Sequence, residues 1–119
     1  MAKLTAAQVL SQVDALTPNQ YTHAEKLLWL SLAEGFVLRE IRQVTGELPR
    51  LQDDTPLTAE APYHELYRHY VESQIHYCNG EMDRYNRAAA CWNNAFLTYR
   101  DYVCRTAMPP RRVQALKVC

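Results

Sequence analysis

The residues best suited to chemistry in this chain lie in the run His64-Glu65-Leu66-Tyr67-Arg68-His69. Two histidines around a glutamate suggest a zinc-protease helix, which needs its histidines four residues apart so that both face one metal. Here the histidines are five apart, which turns them about 140° from one another around a helix. The motif fails on geometry. His76 and Cys78 are two apart and face opposite ways on a helix. The three glycines are isolated, so no phosphate-cradling loop exists. Ser11, Ser31 and Ser73 sit in helical sequence without the strained turn that exposes a nucleophile. The expectation is no catalytic residue, no metal, no cofactor and no enzymatic activity.

Seven tyrosines between Tyr63 and Tyr102 raise a different chemistry, base stacking. Stacking modules combine aromatics with a basic groove. Residues 63–104 instead hold five acids against four arginines. Tyr85, Trp92, Phe96 and Tyr99 fall on one helical stripe and read as core. Tyr63, Tyr70, Tyr77 and Tyr102 fall off it, near Asn86, Asn93 and Asn94. They read as a second contact surface, since tyrosine joins a large area to a polar tip.

The totals agree with a binding role rather than a nucleic-acid one. At 119 residues the chain is expected to be one domain. An apolar fraction of 48% excludes wholesale disorder. Thirteen basic residues balance thirteen acidic ones, so no global charge draws it to DNA, RNA or anionic lipid. The balance is uneven, because residues 51–62 carry three acids and no base, whereas residues 105–119 carry four bases and no acid. The most apolar run, residues 27–32, is far short of the roughly 20 residues a bilayer needs. The start of the chain reads as a capped helix rather than a signal peptide, so a cytoplasmic location is expected. Cys78, Cys91 and Cys104 recur every thirteen residues, about 220° apart around a helix. They cannot pair within one straight helix and are expected to be reduced, small core residues, as is Cys119.

These features need positioning elements, and the pattern is helical throughout. Few glycines and no alternating apolar-polar runs indicate an all-α chain. Thr5-Ala-Ala-Gln8 is a capping box opening a first helix that stops before Thr17-Pro18-Asn19. Thr22-His-Ala-Glu25 opens a second, which presents Leu27, Leu28, Leu30, Ile41 and Val44 and is expected to end at Gly46. Gly35 within it costs about 1 kcal/mol relative to alanine and suggests a closely packed neighbouring helix. Residues 47–61 form an acidic, proline-containing loop, and Pro62 is expected as the first residue of the next helix.

From there the apolar positions Ile75, Cys78, Met82, Tyr85, Ala89, Trp92, Phe96, Tyr99 and Val103 step alternately by three and four. The phase runs straight through Asn79-Gly80, itself a good breaker. It predicts either one very long helix with a weak point or two helices nearly in line. Asp83 with Arg87 and Asp101 with Arg105 are acid-before-base pairs on its outer face. Met108-Pro109-Pro110 ends the helix. The expected organisation is a helical bundle over residues 1–108 and an extended basic tail over residues 109–119.

The stretches WLSLAEGFVLREI (29–41), PYHELYRHYVESQIHYCNGEMDRYN (62–86) and RTAMP (105–109) resemble, in order, the head–tail connector family of tailed bacteriophages and prophages. These are also called adaptor or head-completion proteins. The likeness spans about residues 13–109 and departs from the family pattern at Arg87 and Ala107. It implies a helical-bundle virion protein of the phage neck, assembled in the host cytoplasm. Such proteins form a ring, commonly twelve-fold, under the portal of the DNA-filled head. The ring extends the DNA channel without sequence-specific binding and offers a platform to the next neck or tail-completion protein. The tail (Arg111, Arg112, Val113, Leu116) is then expected to bind the portal. Tyr70, Tyr77, Arg84 and Asn94 are expected on one side of the subunit interface, with the first two helices on the other. The alternative is a stand-alone helical interaction module or small regulator.

Overall fold

The computed structural model describes residues 4–48, 50–60 and 62–107. The tail residues Arg111, Arg112, Val113 and Leu116 lie outside them. Over the described residues the chain is an all-α bundle of four helices: α1 (Ala6–Leu16), α2 (His23–Phe36), α3 (Glu65–Asn79) and α4 (Met82–Ala107). No helix among the described residues is long and apolar enough to cross a membrane.

Both capping boxes form. Thr5 Oγ1 accepts the Gln8 amide while Gln8 Oε1 accepts the Thr5 amide at 2.9 Å. Thr22 and Glu25 repeat the exchange at 3.1 and 2.9 Å. Each box satisfies amides that a helix start leaves without internal partners. At its far end α1 closes through the Thr17 amide on the Val13 carbonyl at 2.7 Å.

The exit from α2 differs from expectation. Past Phe36 the helix widens into a π-helical turn over Val37–Ile41, closed by the Arg42 amide on the Val37 carbonyl. The helix therefore ends ahead of Val44 and Gly46. Arg39 explains how the exit is held, since its guanidinium donates to the carbonyls of Val44 at 3.0 Å and Gly46 at 2.6 Å. Gln43 takes the first left-handed position, at φ 58°. Gly35 meets no helix; its nearest neighbour is the Leu48 side chain, at ordinary contact distance.

The acidic segment is a packed wall rather than a loose loop. Leu51, Leu57 and Ala59 are buried in the core. The carbonyls of Thr55 and Asp53 accept the Ala6 and Ala7 amides at 3.1 and 2.9 Å, and Leu57 donates back to Leu4. The start of α1 is thus satisfied by chain some fifty positions away as well as by its own cap. Pro62 lies in a turn, and α3 begins three residues after it, at Glu65. Short-range bonds from Tyr63, Leu66 and Tyr67 to Glu60, Tyr63 and His64 tighten that entry.

The break at Asn79-Gly80 is present, and the helices it separates are not in line. Gly80 is left-handed (φ 79°, ψ 15°). Its amide bonds to Tyr77 and the Glu81 amide reaches back to His76 at 2.9 Å, a Schellman closure. Then α4 folds back along α3 as an antiparallel hairpin. Ring contacts fix the direction: Tyr77 on Tyr85, Tyr70 on Trp92 and Tyr63 on Tyr99, at 5.3, 5.0 and 5.5 Å. Each pair is symmetric about Glu81. The three-four stripe is satisfied by two arms facing each other as well as by one straight helix, so its unbroken phase does not reveal the turn.

The core is built from α1 (Val9, Leu10, Val13), α2 (Leu30, Ala33), the π-helical turn (Val37) and α3 (Leu66, Tyr67, Val71, Ile75). Among the described residues of α4, Tyr99 and Val103 are buried, both in its last third. Its first half is largely exposed, and the molecule measures 51 × 31 × 27 Å.

Candidate interaction surfaces

The histidine-rich run does not assemble. His64 lies in the turn before α3 and His69 on the helix. Among the described residues no three of His, Cys, Asp and Glu stand where they would hold a metal ion. Cys78 and Cys91 are free thiols but exposed, not core residues as expected, and Cys104 is disulfide-bonded rather than reduced. The fold-back leaves Cys78 and Cys91 on the outer sides of the hairpin. The predicted pairs Asp83–Arg87 and Asp101–Arg105 are not among the ion pairs of the described residues. Arg68 pairs instead with Glu65 at 2.6 Å and Glu72 at 3.2 Å, and Lys26 with Asp14 at 2.6 Å.

One polar cluster escaped the sequence reading altogether. Glu34, on α2, is buried at 8% exposure. Its Oε1 accepts the Tyr67 hydroxyl at 2.6 Å, and its Oε2 accepts the Thr58 hydroxyl at 2.7 Å and the Thr58 amide at 3.1 Å. The Tyr67 oxygen in turn accepts the Ala59 amide at 2.9 Å. Burial, then the Glu34 charge, pushes the Tyr67 phenol far above its ordinary value and keeps it protonated as a donor. The cluster clasps the 57–59 strap onto α2 and α3. It resembles a site in composition but has no opening toward solvent at Tyr67, which is fully buried. Only a periodicity reading that asked why a glutamate shares the buried face of α2 with Leu30 and Ala33 would have found it.

The tyrosines expected off the stripe divide differently in three dimensions. Tyr63 stacks on Tyr102 at 4.6 Å, closing the open end of the hairpin. Tyr70 is half-buried between Phe36 and Trp92. These three are internal contacts of the hairpin, not a second surface, because the fold-back supplies each with a partner from the other arm or from α2. Tyr77 remains 57% exposed at the hairpin tip. Arg84 is exposed and approaches Glu81 only at 3.8 Å. Asn94 is exposed too, but ten residues along α4 from Arg84, about 15 Å away. Of these four, Tyr77, Arg84 and Asn94 are exposed and Tyr70 is half-buried.

The uncovered surface lies elsewhere. Leu28, Leu32 and Phe36 repeat every fourth residue along α2 and are 61%, 48% and 45% exposed. Phe36 carries this stripe onto the hairpin, its ring 6.2 Å from Trp92, which meets Phe96 at 5.0 Å. Side chains of this size at one helical face gain nothing from water, whereas the core behind them is already closed. Compared with known proteins, the chain matches no family model, no curated protein and no solved structure.

Proposed function

We propose that this protein is a structural component of a phage neck, a ring-forming adaptor between the portal of the DNA-filled head and the next head–tail component. The observation that carries the reading is the uncovered Leu28–Leu32–Phe36 stripe running onto Trp92. A small domain with a closed core and a second apolar face is suited to association with other protein. The ordered likeness of residues 13–109 to head–tail connectors supports the same reading and suggests twelve copies. The role is mechanical and associative, with no catalytic step. Near-neutral total charge suits a channel wall along which DNA slides, since dense phosphate contacts would hold it.

The test is electron microscopy of the protein mixed with its candidate portal. Rings seated on the portal are expected from the full chain. Removing residues 111–119 should leave a folded bundle that no longer attaches. Normal attachment by the shortened chain would refute the role assigned to the tail, and absence of any ring with the full chain would refute the adaptor reading.

A further inference from the structure

On the side of the hairpin bordered by the end of α1 lies a cleft of about 480 Å³. Leu16, Thr17 and Pro18 form one wall, His69, Glu72 and His76 of α3 the floor, and Arg84 and Arg87 of α4 the other wall. Its carboxylates are already engaged. Glu72 takes the Thr17 hydroxyl at 3.0 Å and Arg68 at 3.2 Å, and Glu81 lies 2.9 Å from His76 Nδ1. Its guanidinium groups are held more loosely. Arg84 reaches Glu81 only at 3.8 Å, and Arg87 is exposed with no ion pair among the described residues. His69 adds no charge at neutral pH, because burial and then the Arg68 charge lower its pKa. The cleft has donors to spare, while its own carboxylates are already taken.

The complementary group is a single carboxylate rather than a nucleic-acid strand. Glu72 and Glu81 line the same cleft and would repel a row of phosphates, whereas one carboxylate fits between two guanidinium groups. This chain carries such a group. In the acidic wall Asp53 lies 2.6 Å from His23 Nε2, but its neighbour Asp54 is exposed and has no ion pair among the described residues. The Asp53-Asp54 turn is fixed at the start of α1 through the Ala7 amide, while the cleft borders the end of α1. The length of that helix, about 15 Å, keeps the turn from its own cleft.

We propose that the cleft is the socket for the Asp53-Asp54 turn of a second copy of this chain, with Asp54 entering between Arg84 and Arg87. One patch meets a different patch, so the contact is head-to-tail and propagates into a ring. The inference rests on the ring reading and assigns it a polar contact beside the apolar stripe. The electrostatic pairing sets the order of subunits and the rate of assembly, as charged rims do at protein interfaces.

Charge reversal tests it. Asp54→Arg and Arg87→Asp each remove no internal partner, so both variants should keep the helical circular dichroism and melting temperature of the wild type. Each alone should weaken ring formation on the portal about tenfold or more, and the two together in one chain should restore it. Peptide-resolved thiol labelling gives a second readout, since Cys91 on the cleft rim should be protected in assembled wild-type rings and reactive in the single variants. Wild-type rings unaffected by either reversal would overturn the socket and leave the ring reading standing. A folded double variant that stays unassembled would overturn the pairing. No assembly by the wild type would remove both readings.

Discussion

Tyr67→Phe removes one oxygen atom and nothing else, yet it should be among the most damaging single changes in this protein. Two bonds disappear with that atom. One is the 2.6 Å donation to the buried Glu34 carboxylate, the other the 2.9 Å bond accepted from the Ala59 amide. A hydrogen bond to a charged group contributes about 1.5–3 kcal/mol, and a buried amide left without a partner costs about 1–3 kcal/mol. With the ring itself retained, no cavity term is added, and the expected loss is about 3 kcal/mol. For a chain of this length that corresponds to a fall in melting temperature of about 12 °C. In a Glu34→Gln background the loss from Tyr67→Phe should fall to about half, because the neutral amide is a weaker acceptor.

The same substitution has a pH signature. The phenol is raised in the folded state by burial and by Glu34, whereas in the unfolded chain it titrates near its ordinary value of about 10. Above that value the unfolded chain releases a proton that the folded chain retains, so wild-type stability falls as pH rises. One unit above the unfolded value this loss is about 1.4 kcal/mol, and the phenylalanine variant does not suffer it. The gap between wild type and variant should narrow by that amount between pH 9 and pH 11 in urea titrations. A gap below about 1 kcal/mol at pH 7, or one constant across that range, would refute the clasp.

Other outcomes follow from the same geometry. Gly80→Ala meets open space but must hold φ 79°, so it should cost about 1 kcal/mol by urea unfolding with an unchanged slope. Leu28→Ser with Leu32→Ser should leave stability within about 0.5 kcal/mol, since both side chains are exposed, yet abolish rings by electron microscopy. For Glu65, burial raises the carboxyl pKa, but the Arg68 guanidinium outweighs it and the net shift is downward from 4.5. That contribution is present above about pH 4.5 and lost as pH falls further. Arg68→Ala should therefore narrow the stability difference between pH 6 and pH 3, which paired denaturation curves would measure.

What the sequence determined by itself is local. Thr5 with Gln8 and Thr22 with Glu25 close bonds across three residues, so composition and spacing suffice to place both helix starts. The all-α class is legible for the same reason, from periodicity, whereas Asn79-Gly80 marked only a weak point that either a kinked helix or a break would satisfy. Tertiary structure decided everything that depends on which segments meet. A three-four stripe is unchanged when the chain folds back on itself, so only packing separates a hairpin from a rod. That choice turned Tyr63, Tyr70 and Tyr102 from expected surface into hairpin contacts and left Leu28, Leu32 and Phe36 uncovered. The exit of α2 was settled by Arg39 reaching ahead to Val44 and Gly46, and the acidic segment became part of the core because α1 needed acceptors for its first amides. Glu34 shows the limit most clearly. A carboxylate on an apolar helix face makes sense only once Tyr67 and Thr58 arrive from elsewhere in the chain to bind it.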